Sequence, residues 1–241
     1  MLQFSCRMNP GAYGSFPLLN SQDATDTAPS TARRTVPHDH RVDHRVSVLA
    51  DRLALHIESL VPRGRARCLD IGCGDMSLAE AVQARASRTD WRCIDLHGLP
   101  VGFSEDARWS NYRQFDGRRI PHADGEFDVA LLCDVLHRAP EDAAELLAEA
   151  ARVAEHVLVK DHFEYGAYSR TMLRLVDFVG NRGEGGVPER YFTREEFVRL
   201  TKQQRLVITA LDSGLDLYDH VPGIGTLLRP DWQFIAVLRV H

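Results

Sequence analysis

Apolar positions along the 241-residue chain fall into two rhythms, one of helices and one of short buried strands. Val46, Leu49, Ala50, Leu53, Ile57 and Leu60 recur at helical spacing and predict an amphipathic helix over about 42–60. Pro62 and Gly64 end it. Short apolar runs then alternate with helical patterns. Arg67–Ile71, Trp91–Asp95, Tyr112–Phe115, Phe127–Cys133 and His156–Lys160 read as strands. Phe127–Cys133 is nearly all apolar, as a strand buried on both faces requires. Leu78–Gln83 belongs to one helix and residues 141–152 to another. Strands alternating with helices imply right-handed crossovers and a mostly parallel sheet covered on both sides.

After Lys160 the rhythm changes. Tyr168, Met172, Leu175, Val176 and Val179 form a helical stripe that Gly180, Gly183, Gly185, Gly186 and Pro188 interrupt. Thr193-Arg-Glu-Glu196 has the capping-box pattern and opens a helix over about 193–203. Leu206–Leu211 and Trp232–Val240 read as the last strands, joined by a long polar connection. Residues 1–37 lack sustained periodicity, and their polar, small-residue composition predicts a mobile tail. The folded domain is expected over 38–241, with 162–192 as a helical insertion.

Composition narrows the function classes. With 44% hydrophobic and 26% charged residues, the chain is ordinary for a soluble globular protein. A formal charge of −5 argues against extended contact with nucleic-acid phosphates. No apolar run approaches the ~20 residues that span a bilayer. The first 20 residues carry one basic residue, Arg7, and no apolar segment of a secretory signal. The five cysteines, Cys6, Cys68, Cys73, Cys93 and Cys133, are odd in number and show no C-x-x-C spacing. A reducing cytoplasm is the expected location.

The most informative stretch is Cys68-Leu-Asp-Ile-Gly-Cys-Gly-Asp75, where a predicted strand runs into Gly72-x-Gly74 before a helix. Glycines there permit a tight turn and close ligand approach, and the helix start presents free N–H groups. Asp95 ends the next strand, at the spacing where dinucleotide folds set a carboxylate on ribose hydroxyls. Taken singly, each element is an ordinary turn or cap; their order and context make the signal. NAD is the competing ligand, but Ser77 stands where a full G-x-G-x-x-G needs its third glycine.

Asp70-Ile-Gly-Cys-Gly-Asp75, Cys93-Ile-Asp95-Leu96 and the stretch Phe115-Asp116 to Asp128 and on through Cys133-Asp134 to His137 together resemble the class I S-adenosylmethionine-dependent methyltransferases. The nearest likeness is to the broad group that includes the ubiquinone and menaquinone biosynthesis enzymes. The resemblance covers about 42–240. It implies a Rossmann-like, doubly wound α/β sheet of seven strands, mostly parallel with the last antiparallel. It implies S-adenosylmethionine as cofactor and a small-molecule acceptor as partner. Gly72 and Gly74 would face the methionine and ribose portions, with Cys73 between them. Asp70 would help place the methionine ammonium, and Asp95, followed by Leu96, would hold the ribose. Asp116, with Gly117, would accept from the adenine amino group, and Cys133 and Asp134 would line the cofactor floor. Met76 departs from the family's small residue, so it either narrows the loop or points into the helix–sheet interface.

The sulfonium carries the reactivity, so the protein must mainly position an acceptor and exclude water. Candidate catalytic residues lie at the carboxyl ends of strands four and five: His137, then Asp161 and His162. Each has a plainer role as a cap or backbone partner. His40 or His44 is a further candidate to lean over the pocket, and Asn181 and Tyr191 are candidate polar contacts. His38, His40 and His44 with Asp39 and Asp43 read as a solvated helix start, and no metal centre is expected. An apolar roof after strand five would suit a hydrophobic or aromatic acceptor, with O- or C-methylation ahead of N-methylation. Binding of the cofactor without methyl transfer stays open beside this, as no general base is evident.

Overall fold

In the computed structural model the described residues are 44–98, 110–180, 187–218, 221 and 223–240. The expected tail over 1–37, together with His38, His40 and Asn181, lies outside them. The first half runs α1 (His44–Leu60), β1 (Ala66–Ile71), α2 (Ser77–Arg85), β2 (Thr89–Asp95), β3 (Tyr112–Gln114) and β4 (Phe127–Cys133). The second half runs α3 (Ala143–Val153), β5 (Ala154–His162), α4 (Ala167–Gly180), α5 (Arg194–Gln203), β6 (Leu206–Ser213), α6 (Ile224–Leu227) and β7 (Gln233–Val240). A 3-10 turn at Leu136–Arg138 follows β4.

The strands form a 7-stranded sheet in the order β3-β2-β1-β4-β5-β7-β6. Pairing is parallel from β3 through β5, and β7 runs antiparallel to both its neighbours. This is the doubly wound α/β arrangement expected from the sequence. The chain order reverses at β1 and β4, which opens a crevice at the carboxyl ends of those strands.

Strand alternation sorts the core into two layers. Cys68, Val129, Leu131, Leu158 and Ile235 face one side, packed with Leu49, Leu53 and Ile57 of α1 and Val82 of α2. Leu69, Ile71, Ala130, Leu132, Val157, Val159 and Phe234 face the other, with Leu147 and Ala150 of α3 and Phe197 of α5. The central strands are buried on both faces, which explains their near-continuous apolar runs. α5 begins with the expected capping box: Glu196 N–H donates to Thr193 Oγ1 at 3.2 Å, and Thr193 N–H to Glu196 Oε2 at 2.9 Å.

Two expectations need correction. β5 continues through His162, so Asp161 and His162 are its last residues and not part of a following loop. The cause is β7, whose Phe234 and Gln233 pair with those two positions and extend the ladder. The connection from β6 to β7 is also less polar in function than in composition. Leu215, Leu217, Leu228 and Trp232 are all buried in it. Leu228 and Trp232 pack with Leu173 and Tyr191 as a small separate cluster. These apolar residues are too widely spaced to show a period.

At the outer border, β6 shifts register between Ile208 and Ala210. Thr209 sits in the bulge and its hydroxyl donates to the Val237 carbonyl at 3.2 Å. Among the described residues, no helix is long and apolar enough to cross a membrane.

Three rings pin α5 and β5 to β7. Phe163 stacks on Phe234 at 3.8 Å between centroids, and Phe197 packs on Phe234 at 4.9 Å. Phe234→Ala should cost about 3–5 kcal/mol, measured as a lowered midpoint in urea unfolding. A loss below about 1 kcal/mol would show that the trio is dispensable.

Candidate functional site

The chain leaves β1 through Gly72 at φ 76, Gly74 at φ 55 and Met76 at φ 64, three left-handed residues in five. A side chain at Gly72 would be strained and would also meet Val135 Cγ2 at 2.6 Å. That contact seats the loop after β4 directly against the loop after β1. Gly74 is different, because a Cβ there would meet nothing within 4 Å. Its requirement is conformational, and the space over it is open. Met76 is buried among core residues under α2, so it points into the helix–sheet interface and leaves the loop unobstructed. Met76, the residue before α2, makes no side-chain cap, and Ser77 N–H, the first orphan donor of the helix, donates to Asp75 Oδ1 at 3.0 Å.

Asp95, at the end of β2, accepts from Gly74 N–H at 3.0 Å through Oδ2. Its Oδ1 accepts from His97 N–H at 3.0 Å. The glycine loop and the strand-two carboxylate are therefore in direct contact. Leu96 continues the rim, and a Cβ on Gly117 would strike its Cδ2 at 2.6 Å. Asp116 Oδ1 accepts from Arg118 and Arg119 N–H at 2.9 and 3.0 Å, an Asx-type turn that holds its carboxyl below the usual range. Asp70 is buried beneath the loop. Burial, with Asp95 and Asp75 nearby, pushes its carboxyl up to about 7. Cys73 and Cys133 thiols are pushed up as well; for Cys73 a hydrogen bond to Cys93 acts ahead of burial, and for Cys133 burial comes first.

On the other side of Val135 lies a dense polar cluster. Asp134 leaves β4 at φ 56, with its N–H donating to the Lys160 carbonyl at 2.9 Å. Lys160 Nζ donates to Asp134 Oδ1 at 2.5 Å, and Arg45 donates to Oδ2. Burial alone would raise the Asp134 carboxyl, but the Lys160 ammonium and the Arg45 guanidinium hold it well below its ordinary range. Asp161 grips His137 twice, taking its N–H at 3.2 Å and facing Nδ1 at 2.6 Å. His162 donates its own N–H to Asp161 at 2.8 Å. Burial opposes charge on both rings; Asp161 overcomes it at His137, raising the imidazolium to about 10, while Lys160 adds to burial and lowers His162. Beyond them, Tyr191 OH donates to Asp177 Oδ2 at 2.5 Å. The Tyr191 ring lies 5.3 Å from His137 and 5.7 Å from His162.

The structure thus gathers the sequence-predicted residues into two adjoining groups: Gly72, Cys73, Gly74, Asp95 and Leu96 on one side, with Asp70 beneath, and Asp134, His137, Asp161 and His162 on the other. Tyr191 joins the second group. Arg45, Lys160 and Asp177 belong there too and were not anticipated. Their signal was available: Arg45 precedes Leu49 by one helical step, Asp177 follows buried Leu173 by one, and Lys160 directly follows the apolar run Val157-Leu-Val159 within β5. A charged residue on a buried face requires a partner.

Residues 69–156 match a family model described as a methyltransferase domain. No curated protein sequence matches the chain. The fold is shared with a SAM-dependent methyltransferase from Aquifex aeolicus, at TM-score 0.55 and 12% identity over 82% of this chain and 93% of that one. It is shared with magnesium protoporphyrin IX methyltransferase from Synechocystis PCC 6803, solved with bound SAH, at TM-score 0.55 and 16% identity over 83% and 85%. The 4+2 cyclase SpnF has it as well, at TM-score 0.54 and 18% identity over 79% and 81%. The methyltransferase-domain match thus spans residues 69–156, and the seven-stranded sheet has the fold of these solved structures.

Proposed function

We propose that this chain transfers the methyl group of S-adenosylmethionine to a small organic acceptor with a hydrophobic or aromatic body, at oxygen or carbon. The observation that carries the reading is the seam at Val135. Its side chain fills the space that a Cβ on Gly72 would occupy, so donor loop and polar cluster share one wall. Gly72, Cys73 and Gly74 would receive the methionine end, with Asp70 toward its ammonium. Asp95 and Leu96 would take the ribose, Asp116 and Gly117 the adenine, and Cys133 with Asp134 the floor. His137, Asp161 and His162 would hold the acceptor's polar end and stabilise the charge it develops. Its apolar body would lie against the aromatic side of the cluster, where Tyr191 and Trp232 pack with Met172 and Val176.

Within this arrangement the residues orient and exclude water, while the sulfonium supplies the leaving group. The acceptor's lone pair forms the new bond to the methyl carbon as the sulfur–carbon pair returns to sulfur. A second reading, cofactor binding without transfer, draws on the burial of the acceptor-side residues: His137, Asp161 and His162 are each 3% exposed or less. The fold permits it, since a cyclase has the same architecture.

Calorimetric titration of the folded chain with S-adenosylmethionine should give saturable heat, and phenolic or enolic acceptors should then yield S-adenosylhomocysteine. No saturable heat would remove the reading; tight binding with no product across such acceptors would select the second one. Asp95→Ala should weaken cofactor binding at least tenfold, equivalent to about 1.4 kcal/mol, with the circular dichroism spectrum unchanged. Unchanged affinity would reject the ribose assignment.

Asp70 gives a pH signature. Its folded carboxyl titrates near 7 against an ordinary 3.8, so between those values the folded state holds a proton that the unfolded chain has released. Its contribution to stability is therefore greatest below about pH 4 and is lost as pH rises toward 7. Asp70→Asn should raise the melting temperature of the ligand-free chain at pH 8, by about 2–4 °C per kcal/mol recovered, while weakening cofactor binding. A lower melting temperature would show that the ionised carboxylate is favourable there.

A further inference from the structure

We propose that His137, Asp161 and His162, with Asp134 as the fourth group, hold a divalent transition-metal ion. One ligating atom from each of the four residues lies within 4.8 Å of all the others. The donors are two imidazoles and two carboxylates, a nitrogen–oxygen set suited to zinc, iron or manganese. In a tetrahedral site with bonds near 2.0–2.1 Å, neighbouring ligand atoms stand about 3.3–3.4 Å apart. His162 Nδ1 already lies 3.4 Å from Asp161 Oδ1 and 3.5 Å from Asp134 Oδ1. His137 Nδ1 and Asp161 Oδ1 are closer, at 2.6 Å, and would part by roughly 0.7 Å when an ion replaces the proton between them.

An independent feature is the far side of His137. Its Nε2 is buried and lacks a hydrogen-bond partner, yet it faces Asp177 Oδ2 at 3.5 Å. Metal-bound histidines characteristically direct their second nitrogen at a carboxylate, which fixes the ring and raises its basicity. Asp177 is itself anchored by Tyr191 OH. Asp161 is likewise steadied, by the N–H groups of His137 and His162. Asp134, Asp161 and Asp177 place three carboxylates here against Lys160, Arg45 and the His137 imidazolium, so an ion would enter as the proton between His137 and Asp161 leaves. Asp134 is the most contested ligand, because Lys160 and Arg45 already bind it, so the histidines and Asp161 form the core of the site.

This deepens the methyl-transfer reading and rests on it for its chemistry. Asp134 is the partly exposed member, at 12% of its side chain, and marks the open side. An ion there would bind an acceptor hydroxyl, release its proton to water and leave an oxygen nucleophile. That oxygen would form the new carbon–oxygen bond while the sulfur–carbon pair goes to sulfur. The acceptor class is thereby narrowed to hydroxyl-bearing molecules.

The test uses the full chain without a histidine tag, stripped with chelator, dialysed, and titrated separately with Zn2+, Mn2+ and Fe2+ under anaerobic conditions. One ion per chain by elemental analysis is expected, with a melting-temperature rise of several degrees. His162→Gln and Asp161→Asn should each weaken the ion at least tenfold; His137→Gln serves as a third variant if either fails to fold. A folded wild type that binds no ion, or binds one with unchanged affinity in the folded variants, overturns the proposal. Titration of the stripped chain with S-adenosylmethionine separates the two readings: cofactor binding without an ion sinks only the metal site, and ion binding without cofactor leaves it standing while the methyl-transfer reading falls.

Discussion

Asp134 and Lys160 face one another across neighbouring strand ends, with Lys160 fully buried and Arg45 closing the far side of the carboxylate. Removing ions from water is costly, and a buried pair is tolerated only when each charge is matched closely and its remaining hydrogen-bonding capacity is met. Much of the surrounding architecture serves that condition. α1 delivers Arg45, β4 turns left-handed to present Asp134, β5 contributes Lys160, Asp161 and His162, and α4 brings Asp177. Four elements of the fold are tied to the carboxyl ends of the central strands by the same requirement. Breaking any one partner would leave another charge stranded.

The glycine loop is organised by shape more than by charge. Gly72 has no Cβ where Val135 needs room, and Gly74 adopts a backbone that side chains resist. The Asp95 carboxylate then spans the turn by accepting the Gly74 N–H. These features fix the conformation of the loop within the folded chain.

How much of this was legible in the sequence depends on the range of the interaction. β1, β4 and α5 could be placed because local rules govern them: continuous apolar runs for buried strands, and Thr193 with Glu196 for a capping box. The glycine loop and Asp95 were legible because their signals are local: two glycines just past one strand and a carboxylate ending the next. The partners of Arg45 and Asp177 were not, because the sequence signals only a charge on a buried helical face, while β4 and the turn at His137 lie far along the chain. The extra length of β5 escaped for the same reason, since β7 creates it. The sequence ends the strand at Lys160 and sets Asp161 and His162 just past it, where their burial and mutual contact could not be foreseen.

The bulge in β6 bears on how the molecule meets its neighbours. A sheet's outermost strand offers unpaired N–H and C=O groups to any passing chain in extended form. At one border the strand is only three residues long, Tyr112–Gln114. At the other, the offset at Thr209 spoils the even spacing that a foreign strand would need to zip alongside. Both margins of the sheet are thus poor seeds for growth by strand addition, and lateral stacking into fibres is discouraged by geometry already present in the folded chain.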